Sequence, residues 1–121
     1  MKDKIIAIAS LTVVLTAVVL NGLALKGKIE ATIEEVASIN IQENGTKDEA
    51  ERIFDNFLKR EHYISLTVSH EDLTTIEDCF CEMIGYLKVG DKDNAEVTKG
   101  RLLGSLEHLR RLSGFNIDSI I

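Results

Sequence analysis

Apolar and polar positions follow two different regimes along this chain. From Ile5 to Leu25 they do not alternate at all: 21 consecutive residues carry no charge, between Lys4 and Lys26. As a helix rising about 1.5 Å per residue, the run spans roughly 31 Å, the depth of a bilayer's hydrocarbon core. Beyond it, apolar residues recur every three or four positions, the period of amphipathic helices. Ile29, Ile33 and Val36 continue the first helix past the membrane, to about residue 42, where Asn44-Gly45 supplies a C-terminal stop.

Three further stripes follow. Ala50, Ile53, Phe54, Phe57 and Ile64 predict a helix over 47–64, with Thr46-Lys47-Asp48-Glu49 as a capping box that makes Thr46 its N-cap. Leu73, Ile76, Phe80, Met83, Ile84 and Leu87 predict a helix over 70–89, opened by Ser69-His70-Glu71-Asp72 and stopped by Gly90. Ala95, Leu102, Leu106 and Leu109 predict a helix over 93–113, capped by Asp91 or Asp93 and ended at Ser113-Gly114. The apolar tail 115–121 is expected to fold back onto the bundle, because its large side chains would otherwise lie exposed. Ile64, Leu66 and Val68 alternate with polar neighbours as in a strand, but a lone strand has no pairing partner, so the stretch reads as a frayed helix end. The expected architecture is all-α: a tail 1–4, a transmembrane anchor 5–25, and a helical domain 26–121 forming a small antiparallel bundle.

Composition supports long helices, since the chain has no proline. With Lys2, Lys4 and Asp3 set aside, residues 26–121 hold 12 Lys or Arg against 19 Asp or Glu, a net charge of −7. An acidic domain disfavours nucleic acid as a partner, and anionic lipid headgroups likewise. The run is longer than the 7–15 apolar residues of a cleaved signal, which favours a retained signal-anchor. The alternative is a secreted helical protein, cut after Ala24 where Gly22 and Ala24 offer small residues. Lys2 and Lys4 balance Lys26 and Lys28, and the N-terminal amine tips the domain toward the extracytoplasmic side of the cell membrane.

Candidate chemistry is sparse. Cys79 and Cys81, two apart on a helix, point about 200° from each other and read as free thiols. His70 stands beside Glu71 and Asp72, where the carboxylates suit a helix start. Gly100, Gly104 and His108 recur at intervals of four, off the leucine stripe; glycines there open a groove for close approach of another helix. His70, Asp72, Gly100, Gly104 and His108 therefore form the candidate interaction or ligand site. No catalytic residue, metal-ligand spacing or cofactor motif is present, and an enzyme is not expected. The expected partners are the bilayer, through residues 5–25, and another protein or a second copy. A ligand- or metal-responsive module built on His70, Asp72 and His108 is the alternative.

The stretch His70-Glu71-Asp72-Leu73-Thr74-Thr75-Ile76, then Gly85-Tyr86-Leu87 and Gly90-Asp91, precedes Leu106-Glu107-His108-Leu109 and Asn116-Ile117-Asp118-Ser119-Ile120-Ile121. In this order and layout the chain resembles the uncharacterised bacterial single-pass membrane protein family "domain of unknown function 4363". The resemblance covers the second half closely and the first half in layout. Asp72 and Thr74 stand where that family's opening element has Glu and Asp. The resemblance implies an N-terminal anchor with a helical domain and no particular activity.

Overall fold

The computed structural model describes residues 1–65 and 68–120, with side chains described through Leu112. Four helices follow one another: α1 (Lys2–Ala37), α2 (Thr46–Ile64), α3 (His70–Lys88) and α4 (Lys92–Ile120). Among the described residues there is no strand, so the all-α expectation holds. Each helix packs on the next, and α4 closes the ring against α1; among the described residues the backbones of the diagonal pairs do not approach closely. This is an antiparallel up-and-down bundle, the arrangement short connections between amphipathic helices favour.

The expected stripes form the core. Ile29, Val36, Ala50, Ile53, Phe57, Ile64, Leu73, Ile76, Phe80, Met83, Ile84, Ala95, Leu102, Leu106 and Leu109 are all buried, and Ile33, Phe54 and Leu87 pack at the margin. The phenylalanines gather at the α2–α3 seam: Phe80 stacks on Phe54 at a centroid distance of 4.9 Å and meets Phe57 at 5.5 Å. Aromatic pairs at such distances contribute about 0.5–1.5 kcal/mol beyond the area they bury.

The helix ends partly follow expectation. Ser69 Oγ accepts from the Asp72 backbone N–H at 3.2 Å and donates to Asp72 Oδ2 at 2.9 Å, capping α3 as its sequence implies. Gly90, at φ 75°, closes α3 with Asp91 N–H to Tyr86 O at 2.9 Å and Gly90 N–H to Leu87 O at 3.3 Å. That pair of bonds is a Schellman motif, and its left-handed position suits glycine. Asp91 Oδ1 then accepts from the Asn94 N–H and caps α4.

Three boundaries differ. Helix α1 ends at Ala37 rather than near residue 42. The chain turns there because Ile39 and Ile41 swing under the bundle and become buried, each worth about 1.5–3 kcal/mol against exposure. Lys99 Nζ donates to Ile39 O at 2.7 Å and Lys92 Nζ to Gln42 O at 3.0 Å, satisfying this connection. Gly45, left-handed at φ 81°, is the N-cap of α2, not Thr46. Thr46 instead turns its hydroxyl back into the loop, donating to Asn40 O and Glu43 O, so no side chain is left to cap the helix. Finally, α4 does not stop at Ser113-Gly114 but runs on as helix to Ile120. The expected fold-back of the tail's side chains, and residues 66, 67 and 121, lie outside the described residues.

Helix α1 has two halves. Every residue from Met1 to Val18 is exposed, and the most apolar window has a mean hydropathy of 2.3 with none of it buried. From Leu25 onward, one face of the same helix is in the core. Among the described residues one helix is thus long and apolar enough to cross a membrane, and it is continuous with the first helix of the bundle.

Candidate functional site

Asn21 interrupts the apolar run, and the fold supplies its partner: Tyr63 Oη donates to Asn21 Oδ1. Lys28 Nζ lies 5.1 Å from the Tyr63 ring centroid, a cation–π distance. Higher on the same seam, Arg60 Nη1 donates to Glu35 and, at 3.1 Å, to Thr32 Oγ1, while Asn56 Nδ2 donates to Glu35 Oε2 at 3.1 Å. These contacts clamp α2 to the part of α1 nearest the apolar run. None was visible in sequence, because Arg60 lies 25 residues from Glu35.

The candidate residues separate into two groups. A groove of about 340 Å³ runs between α3 and α4, lined by Asp72, Thr75, Cys79, Arg101, Gly104, Ser105 and His108. It brings Asp72, Gly104 and His108 together. His70 and Gly100 are not among its lining residues; both are exposed. The additional lining residues were detectable by spacing: Asp72, Thr75 and Cys79 step by three and four on α3, and Arg101, Gly104, Ser105 and His108 do so on α4.

Gly100 and Gly104 have no steric reason inside this bundle. A Cβ built at either one meets nothing within 4 Å. Tight intramolecular packing therefore does not explain them, although each glycine costs a helix about 1 kcal/mol relative to alanine.

The groove's charged groups are already engaged. Asp72 serves the α3 cap, and Arg101 Nη1 pairs with Glu82 Oε2 at 2.9 Å. Cys79 is buried and Cys81 exposed, both free, in accord with the expectation for the pair. Burial pushes the Cys79 thiol up, partly offset by nearby Arg101, which holds it away from the thiolate form a nucleophile needs. Among the described residues no three His, Cys, Asp or Glu side chains are grouped so as to hold a metal ion. His70, Asp72 and His108 do not form such a group among the described residues, and His70 is not among the residues lining the groove.

A separate pair of carboxylates joins α2 to α3. Burial, a hydrogen bond to Glu77 and the Glu77 charge together raise the Glu61 carboxyl to about 7 from an ordinary 4.5. A raised carboxyl pKa means the folded state holds a proton that the unfolded state releases. The pair's stabilisation is complete below about pH 4.5 and is lost as pH rises through 7. The domain should therefore melt at higher temperature at pH 5 than at pH 8, and Glu61→Gln should flatten that difference. Equal slopes for the two proteins in thermal scans across this range would refute the shared proton.

Compared with protein families, with curated proteins and with solved structures, the chain matches none.

Proposed function

We propose that this protein is a single-pass, membrane-anchored accessory protein that acts by binding another protein through its helical bundle. The observation that carries the reading is the division of α1 into an unburied apolar half and a packed half within one unbroken helix. A cut after Ala24 would remove Asn21, which Tyr63 holds, and would put the core residue Leu25 at the cut end of its helix. The retained anchor accounts for both contacts. An extracytoplasmic position for the bundle at the cell membrane is part of this proposal. The glycine face of α4, which the bundle itself does not use, is the proposed contact surface for a helix of the partner or of a second copy.

A second reading, a ligand-responsive module, rests on the sharing of one groove by Asp72 and His108. It does not include His70.

One experiment tests anchoring and contact together. After carbonate washing of membranes, the full-length chain should remain in the pellet with residues 1–25 intact. Val13→Arg combined with Leu15→Arg should release it, since each mid-span arginine costs about 2.5–3.5 kcal/mol of insertion free energy. In detergent extracts of crosslinked membranes, Gly104→Ala should preserve the fold and Gly104→Leu should remove the crosslinked species. A wild-type chain recovered in soluble form beginning at Leu25 would end the anchor reading. Crosslinks indifferent to Gly104→Leu would end the glycine-face reading.

A further inference from the structure

Helix α4 is longer than the bundle it belongs to. At one end, Lys99 Nζ meets Ile39 O; further along, Glu107 and Arg110 share a cleft with Glu30, Ile33 and Glu34. The two helices thus run antiparallel, each residue forward on α4 matching one backward on α1. Carrying that register on at about 1.5 Å per residue sets Phe115 level with about Leu25, and Ile120 level with about Leu20.

The neighbouring helices end sooner. Asp72, in the first turn of α3, shares its groove with His108, so α3 begins beside about that turn of α4. On the other side, α2 ends at Ile64, just past the Tyr63 that touches Asn21 and Lys28. From about Leu112 onward, α4 therefore extends beyond the end of α2 and the start of α3, level with the apolar run of α1 and with the Tyr63 side chain that reaches Asn21. Its sequence changes at the same point. Arg110 and Arg111 fall near the level of Lys28, which follows the apolar run; then come Phe115, Ile117 and Ile120, with Asp118 the one charge between Gly114 and Ile120.

We propose that the end of α4, residues 114–120, enters the same bilayer leaflet that α1 leaves, giving the protein a second, interfacial membrane contact. The inference rests on reading α1 as a membrane anchor. The occupant is lipid because the segment is continuous in level with the span. Ile120 lies about six residues inward of Lys26, or about 9 Å, within the depth of roughly 5–10 Å at which interfacial helices settle. A bundle held at two points has its orientation on the membrane set, whereas one held only by α1 could rotate about that helix.

The chain contains no tryptophan, so a single introduced one reports its own surroundings. Four full-length variants, Leu20→Trp, Phe115→Trp, Ile117→Trp and Val97→Trp, are reconstituted into phosphatidylcholine vesicles with brominated acyl chains. Val97 is exposed and lies in the part of α4 remote from the span. Emission from Phe115→Trp and Ile117→Trp should be blue-shifted and quenched by bromine at least half as strongly as that of Leu20→Trp, with Val97→Trp unaffected. If Leu20→Trp is quenched while both tail variants behave like Val97→Trp, the second contact is refuted and the anchor stands. Tail emission that is blue-shifted but not quenched by bromolipid also refutes it, since the tail then lies against protein. If Leu20→Trp itself escapes quenching, the anchor reading fails and the inference falls with it.

Discussion

Phe80→Ala should cost the bundle about 3–5 kcal/mol, the range for removing a buried aromatic side chain. Phe80 is fully buried and lies at the one place where three aromatic rings meet among the described residues, stacked on Phe54 and tilted against Phe57. Truncation therefore removes two ring contacts as well as buried area. Typical domains have only about 5–15 kcal/mol in total, and one of fewer than 100 residues sits low in that range. Thermal unfolding of the detergent-solubilised protein should shift down by well over 10 °C, or lose its cooperative transition. Phe80→Leu, which keeps most of the volume, should lose much less. A melting temperature within a few degrees of wild type for Phe80→Ala would show that the α2–α3 seam is not the centre of this core.

Arg60→Ala should be the most damaging change to a charged residue, at about 1.5–3 kcal/mol. Most ion pairs here are exposed and short-range in sequence, such as Lys47–Glu51, Lys26–Glu30 and Arg110–Glu107, and such pairs are worth about 0–1 kcal/mol. Arg60 and Glu35 are different, with only about a quarter of either side chain exposed. Arg60 also donates to buried Thr32, and Glu35 keeps only Asn56 when the guanidinium is gone. Arg60→Lys should recover part of the loss, because the ammonium keeps a positive charge near Glu35 but sits on a side chain of different length and shape. Chemical denaturation of the two variants beside Lys47→Ala checks the ranking. Equal small effects in all three would place Arg60 among the surface pairs.

Much of the fold was legible from periodicity. The stripes on α2, α3 and α4 predicted every buried apolar residue of those helices except Cys79, since a helix with one apolar face has only one way to hide it. The caps read correctly at Ser69, Gly90 and Asp91, where the signal is local and no tertiary contact competes for it. It failed at Thr46 because a distant demand won: the loop carbonyls of Asn40 and Glu43 needed a donor once Ile39 and Ile41 had turned under the bundle. The end of α1 was misplaced for the same reason. Ser113-Gly114 reads as a stop from local propensity, yet α4 passes through it, as a glycine penalty of about 1 kcal/mol allows.

The candidate site was half legible. Gly104, His108 and Asp72 share a groove because each obeys the spacing of its own helix, which sequence displays. Whether His70 joined them depended on the rotation of α3 against α4, which core packing sets and local sequence does not. What the sequence determined by itself is the set of helices, their buried faces and the single apolar span, because these follow from local periodicity and length. Only the tertiary structure decided the Tyr63–Asn21 and Arg60–Glu35 clamps, the Glu61–Glu77 pair and the reach of α4 beyond its neighbours. Each of these joins residues from different helices, and their meeting depends on register between helices, which is set by how side chains interlock in three dimensions.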